Sequence, residues 1–182
     1  MFFTKIVVSL RLDLVYWLKF RRLMKRMRTL IPKIKVKKLC DGAILPSYAH
    51  VGDAGMDLVA VSKEYDADGN VVYGTGLSFE IPDGYVGLLF PRSSNAKKDL
   101  LLSNSVGVLD SGYRGEVTFK FKPSCVLWMG KYSVLPGAMD SYEIGDRIGQ
   151  MIVLPYPRVE FEEVSELSES DRGTGGYGST GK

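Results

Sequence analysis

Asp110, Tyr113 and Arg114 lie within one short polar run, Asp110-Ser111-Gly112-Tyr113-Arg114-Gly115. A carboxylate, an aromatic ring and a guanidinium are a costly set for a plain turn. Two readings stand at this point: a turn with Asp as its former and Tyr as a packer, or a site for acid–base and anion chemistry. A second set is Pro91-Arg92-Ser93-Ser94, after an apolar run. Arg, two hydroxyls and free backbone N–H groups at a helix start can cradle a phosphate, although the same residues suit an ordinary turn. Asp57 opens the apolar run of Ala54-Gly55-Met56-Asp57-Leu58, and Gln150 follows Gly145-Asp146-Arg147-Ile148-Gly149 as a polar contact. Asp146 and Arg147 themselves read as a brace across a turn. Near the end of the sequence, Arg172 and Tyr177 stand among Gly173, Gly175, Gly176 and Gly178. Glycines permit close backbone approach, Arg grips phosphate and Tyr stacks on a base, so this segment reads as an arm that closes over a nucleotide. Its composition also suits a disordered terminus.

The elements that must position these groups are strands. Lys33–Leu39 alternates Lys with apolar residues, as an edge strand does. Met56–Val61, Leu77–Ile81, Tyr85–Phe90, Val106–Leu109, Glu116–Phe121, Cys125–Met129, Tyr142–Ile144, Arg147–Pro155 and Val159–Val164 follow as short β-prone runs. Ser62–Gly76 reads as a polar, turn-rich connection, and one short helical turn is expected near Ser94–Lys98. Val106–Leu109 and Glu116–Phe121 are expected to form a β-hairpin with Asp110–Gly115 at its tip. Short strands separated by turn signals give an all-β barrel or sandwich. No Rossmann or P-loop glycine pattern is present.

Composition narrows the chemistry. Among 182 residues there is one histidine, His50, so no histidine cluster holds a metal, and no motif supports a Ser-His-Asp triad. Cys40 and Cys125 form neither a metal-ligand spacing nor a disulfide framework, so a reducing, cytoplasmic setting is expected. The net charge of +3 conceals a division: residues 1–38 carry twelve Lys/Arg against one acid, and the rest carries twelve against twenty. A basic amphipathic helix is expected over about Val7–Thr29, fit for a membrane surface or nucleic acid. Equally it reads as an extension upstream of a later start at Met24 or Met27. The expected layout is a basic extension over 1–32, a β-barrel over 33–164 and an arm over 165–182.

Taken in order, AGMDL, PRSS, GVLDSGYRG, GDRIGQ and RGTGGYGSTG resemble the five motifs of the trimeric all-β dUTP diphosphatase (dUTPase) family, over roughly Lys33–Lys182. The resemblance implies a distorted β-barrel of jelly-roll type and hydrolysis of dUTP to dUMP and pyrophosphate with Mg²⁺. It implies that Asp110 is the catalytic base that drives water at the α-phosphorus. It implies that Tyr113 packs on deoxyribose, and that Asn104 with the backbone at Gly107 and Val108 reads uracil. Arg92, Ser93, Ser94 and Gln150 match phosphate contacts. Arg172, Gly175 and Tyr177 match the arm, its arginine on the γ-phosphate and its ring on uracil. Asp57 matches a supporting acid near the catalytic water. Mg²⁺ in the family is held mainly by the triphosphate and waters, so no protein metal ligand is assigned. A homotrimer with shared sites is implied.

The chain departs from the family pattern at Met56, Ser94 and Tyr177, and its Leu127–Tyr142 connection is long. dCTP deaminase shares the fold but carries a catalytic Glu ten residues after the Asp and usually Trp at the place of Tyr113; here the tenth residue is Lys120. A further alternative is a nucleotide-gated regulatory protein on the same scaffold.

Overall fold

The computed structural model describes Trp17 and residues 31–124 and 140–176. The expected helix over 7–29 lies, apart from Trp17, outside the described residues, as do Cys125–Met129 and Tyr177. The described chain is built from ten strands and one short 3₁₀ helix.

β1 (Lys35–Lys38) pairs with β5 (Leu77–Glu80) in a two-stranded sheet. β2 (Met56–Val59), β10 (Arg147–Pro155), β6 (Tyr85–Phe90) and β8 (Gly107–Leu109) form a second sheet in that order. β3 (Ser62–Tyr65), β4 (Val71–Gly74), β9 (Thr118–Pro123) and β7 (Leu100–Leu102) form a third. Every pairing is antiparallel. This is the all-β, jelly-roll class that the sequence implied.

Alternation explains how the sheets close on one core. In β9, Phe119 and Phe121 point inward while Lys120 and Lys122 stay in water. They meet Tyr73 of β4, Leu58 of β2, and Ile148 and Met151 of β10, all essentially buried. Tyr73 and Phe121 pack edge to face at 5.9 Å between centroids. Burying the Tyr73 hydroxyl requires partners: it donates to the Tyr142 carbonyl and accepts from the Tyr142 amide.

Four expectations need correction. Ser62–Gly76 is a genuine hairpin, β3 with β4, whose turn is tied by Asp66 accepting from the Asn70 amide groups. The polar Ser-Lys-Glu-Tyr sequence of β3 hides a strand with no buried residue, half-buried at Ser62 and Lys63 and exposed at Glu64 and Tyr65. Val106–Leu109 and Glu116–Phe121 are not a hairpin: β8 pairs with β6 and β9 with β4 and β7. Residues 110–117 instead carry the chain from one sheet to the other. Tyr142–Ile144 is a loop; Tyr142 is held by Tyr73, and a turn follows in which Asp146 accepts from the Glu143 amide at 2.8 Å. Val159–Val164 pairs with no strand among the described residues, and Phe161 is 96% exposed. The expected short helical turn is present as the 3₁₀ helix Ser93–Lys97.

Candidate active site

The loop after β8 is fixed from several directions. The Tyr113 amide donates to the Asp110 carbonyl, and the Tyr113 hydroxyl donates to the Glu116 carbonyl at 3.0 Å. Arg114 turns its guanidinium back on the carbonyls of Ser111 and Tyr113, so it braces the loop. The Ser78 hydroxyl donates to the Arg114 carbonyl, and the Glu116 carboxylate accepts the Gly76 amide at 2.7 Å. The Tyr113 ring lies over Gly115, where a Cβ would overlap it. Glycine at this place is therefore a condition for the ring's pose. The outcome is a rigid loop that presents Asp110, whose exposed carboxylate has no hydrogen bond or ion pair among the described residues. A carboxylate held this way is free to orient a water.

β8 is an edge strand, so the outer backbone of Gly107–Leu109 is unpaired among the described residues. It offers N–H and C=O groups to a planar ligand. Asn104 lies in the tight turn that leads into it. There the Val106 amide donates to the Asn104 carbonyl at 2.6 Å, and Ser105 adopts a φ of 60°. Val108 is exposed and Gly107 buried.

A second group gathers around the end of β6. Pro91 and Arg92 leave the sheet and the 3₁₀ helix begins at Ser93. Arg92 donates from Nε to Asp57 at 2.7 Å and reaches Ser94 Oγ at 3.4 Å. Gln150 stands between Asp57 and Phe90 in register and donates from its side-chain amide to the Pro91 carbonyl. Gln150 also fills the space beside Gly55, where a Cβ would collide with its amide oxygen. Asn95 closes the loop by donating to the Leu100 carbonyl. Asp57, Arg92, Ser94 and Gln150 thus gather in one polar corner at the end of β6, as their spacing in sequence could not show.

Arg147 belongs to this corner too, which sequence reasoning missed. It was expected to pair with Asp146, but its Nη1 lies 2.9 Å from Asp57 Oδ2. No local signal could have revealed it, since the contact depends on the register of β10 with β2.

The two groups do not meet within the chain. β6 and β8 run antiparallel with Leu89 opposite Gly107 and Gly87 opposite Leu109. Arg92 therefore lies off one end of this ladder and Asp110 off the other, roughly 13 Å or more apart at ~3.3 Å per residue. The arm is separate again: Arg172 donates to the Gly175 carbonyl, and neither bonds to the barrel among the described residues. Lys120, at the place where a deaminase carries its Glu, is on β9 and pairs with Asp66 at 3.0 Å.

The dUTPase family model matches residues 41–125. A deoxyuridine 5'-triphosphate nucleotidohydrolase of Clostridium acetobutylicum is 41% identical over 152 residues, covering 81% of this chain and 96% of that one. One of Thermobifida fusca is 37% identical, covering 82% and 79%. The chain belongs to the dUTPase family. Among solved structures, the dUTPase of Staphylococcus bacteriophage 80alpha with dUPNHPP superposes with a TM-score of 0.69 at 30% identity, over 82% of this chain and 99% of that one. The dUTPase of phage phi11 of S. aureus, described as showing a species-specific insert, gives 0.61 at 26% identity over 76% and 100%.

Proposed function

We propose that this protein hydrolyses dUTP to dUMP and pyrophosphate by in-line attack of water on the α-phosphorus, with Asp110 as the general base. The observation that carries the reading is the exposed, unengaged Asp110 carboxylate on a loop fixed by Tyr113, Arg114 and Glu116. The activity itself follows from family membership. Asp110 orients the water and takes its proton as the P–O bond forms. Tyr113 sits beside Asp110 to pack on the deoxyribose. Asn104 and the free edge of Gly107 and Val108 supply the donor–acceptor pair that uracil complements. Arg92, Ser93, Ser94 and Gln150 hold the phosphates, and positioning with charge neutralisation does most of the work in such transfers. Arg172, Gly175 and Tyr177 complete the site from the arm.

Mg²⁺ takes hard oxygen donors, and the unengaged Asp110 carboxylate is one. Among the described residues no three His, Cys, Asp or Glu side chains gather to hold a metal, and Asp57 is committed to two guanidiniums. Asp110, exposed and without a partner among the described residues, would be the residue to hold water of the ion's shell. When bound, the ion neutralises charge on the triphosphate. The phage phi11 dUTPase is described as coordinating a structural Mg(II) ion.

The separation of Asp110 from Arg92 favours a homotrimer whose sites are shared between subunits. An apolar stripe supports it. Val86, Leu88, Val108, Ile152 and Leu154 share the outer face of the β2–β10–β6–β8 sheet, turned from the core and half-buried or exposed. Antiparallel sheets normally present polar residues on that face. Residues 156–164, with exposed Val159 and Phe161, give a second adhesive segment for another copy.

The layout of extension, barrel and arm rests on the sequence, and a cytoplasmic setting on the cysteine usage. Among the described residues no helix is long and apolar enough to cross a membrane. Contact of residues 1–31 with a membrane surface or nucleic acid rests on their charge alone. A nucleotide-gated regulatory role has one observation in its favour: phage 80alpha dUTPases are described as controlling transfer of virulence genes by a G protein-like mechanism.

The test is product analysis with dUTP, dCTP, dTTP and UTP in ¹⁸O water. The reading requires that dUTP alone react and that the label enter dUMP. Label in pyrophosphate, or cleavage of UTP at a similar rate, contradicts it.

A further inference from the structure

Asp57 has two cations on one carboxylate. Oδ1 accepts Arg92 Nε at 2.7 Å, while Oδ2 accepts Arg147 Nη1 at 2.9 Å and Arg92 Nη2 at 3.5 Å. The carboxylate is largely buried, with its side chain 12% exposed, against 24% for Arg92 and 53% for Arg147. A pair of Asp57 and Arg92 alone would be neutral and would offer little to an incoming polyphosphate. With Arg147 added, the three side chains carry a net single positive charge. The backbone contributes to this: the β2–β10 register slips between Arg147 and Gly149. Such an irregularity re-aims a side chain, and Arg147, opposite Val59, reaches Asp57 instead.

We propose that Arg147 is a positioning residue of the phosphate subsite, acting through Asp57 to offset its charge and keep Arg92 available to the substrate's polyphosphate. The inference rests on the dUTPase reading of Arg92. Arg147 itself need not touch the substrate. Its effect is indirect: it shares the carboxylate that would otherwise compete with phosphate for Arg92.

The test is a double-mutant cycle in the full-length chain with Mg²⁺. KM and kcat for dUTP and the dissociation constant of inorganic pyrophosphate are measured for wild type, Arg147→Gln, Asp57→Asn and the double variant. Arg147→Gln is expected to weaken pyrophosphate and raise KM by about 10-fold, with kcat changed by less than about 3-fold. In the Asp57→Asn background the same change should cost less than about 2-fold, because the charge that Arg147 offsets is gone. Arg147→Lys should stay within about 3-fold of wild type, since it keeps the charge. An equal loss in both backgrounds, a loss for Lys as large as for Gln, or no loss at all overturns the proposal. Should Arg147→Gln not fold, Arg147→Met replaces it under the same criteria. A wild type that binds pyrophosphate but does not hydrolyse dUTP would instead defeat the parent reading.

Discussion

Gln150 on β10 donates its side-chain amide to the carbonyl of Pro91 at 3.1 Å. This bond joins an inner strand of the sheet to the residue immediately before Arg92, so the Arg92 loop is tied to β10. Gly55 makes room for it, because any side chain there would overlap the Gln150 amide oxygen. The pairing gives a physical reason for glycine in Ala54-Gly55-Met56.

Gly55→Ala should therefore push Gln150 off Pro91 and loosen Arg92. The expected result is a rise in KM for dUTP of about 10-fold together with a stability loss within the ~1–3 kcal/mol typical of overpacking. Gln150→Ala should raise KM comparably with little loss of stability. Steady-state kinetics beside thermal melts of both variants check this; an unchanged KM for both would break the link between Gln150 and the phosphate loop.

Glu116 anchors the far end of the Asp110 loop on the Gly76 amide. Glu116→Ala should cost about 1–3 kcal/mol, the range for stranding a partly buried donor of a charge-assisted bond. It should also lower kcat, because the loop that presents Asp110 and Tyr113 is released. Glu116→Gln keeps an acceptor and should lose less on both counts. Urea titration and kcat measured side by side decide it.

Asp66 governs an acid limb of stability. Hydrogen bonds from Asn70 and then Lys120 hold its carboxyl well below the usual carboxylate range. A depressed pKa in the folded state stabilises above the unfolded value of about 3.9, and the contribution fades as pH falls through the folded value. Asp66→Asn should thus melt below wild type at neutral pH, with the gap narrowing only under strongly acidic conditions. Thermal midpoints across pH 2 to about 7 test the sign. A gap that widened in acid would reverse it.

Val108 and Leu154 lie on the apolar outer face of the second sheet. Val108→Glu or Leu154→Glu should shift light-scattering mass from trimer toward monomer, with loss of dUTP turnover by at least about 10-fold, since like charges meet across a symmetric interface. Full activity in a monomer would remove the need for a shared site.

The strands were legible where alternation was clean. Phe119 and Phe121 against Lys120 and Lys122 announce β9, while β6 is announced by the unbroken apolar run Tyr85–Phe90. Pairing partners were less legible, because a period of two fixes which face a residue takes but not which strand lies beside it. That is why β8 and β9 read as one hairpin while they belong to different sheets. Val159 and Phe161 carry a strand pattern without a partner among the described residues. At the site, Arg92 and Ser94 were legible from residue type, yet Arg147 was assigned to its sequence neighbour Asp146. Its true partner, Asp57, is ninety residues away in sequence and is reached only through the register of β10 on β2.

Asp110→Asn carries the central claim. Asparagine keeps the shape of the side chain and can still hold a water, but cannot take its proton. The measurement is single-turnover hydrolysis of dUTP beside equilibrium binding of a non-hydrolysable dUTP analogue, both with Mg²⁺. Binding within about 3-fold of wild type with the chemical step slowed by about 10²-fold or more is the expected pair of results. A variant that binds normally and turns over at the wild-type rate would show that Asp110 is not the base.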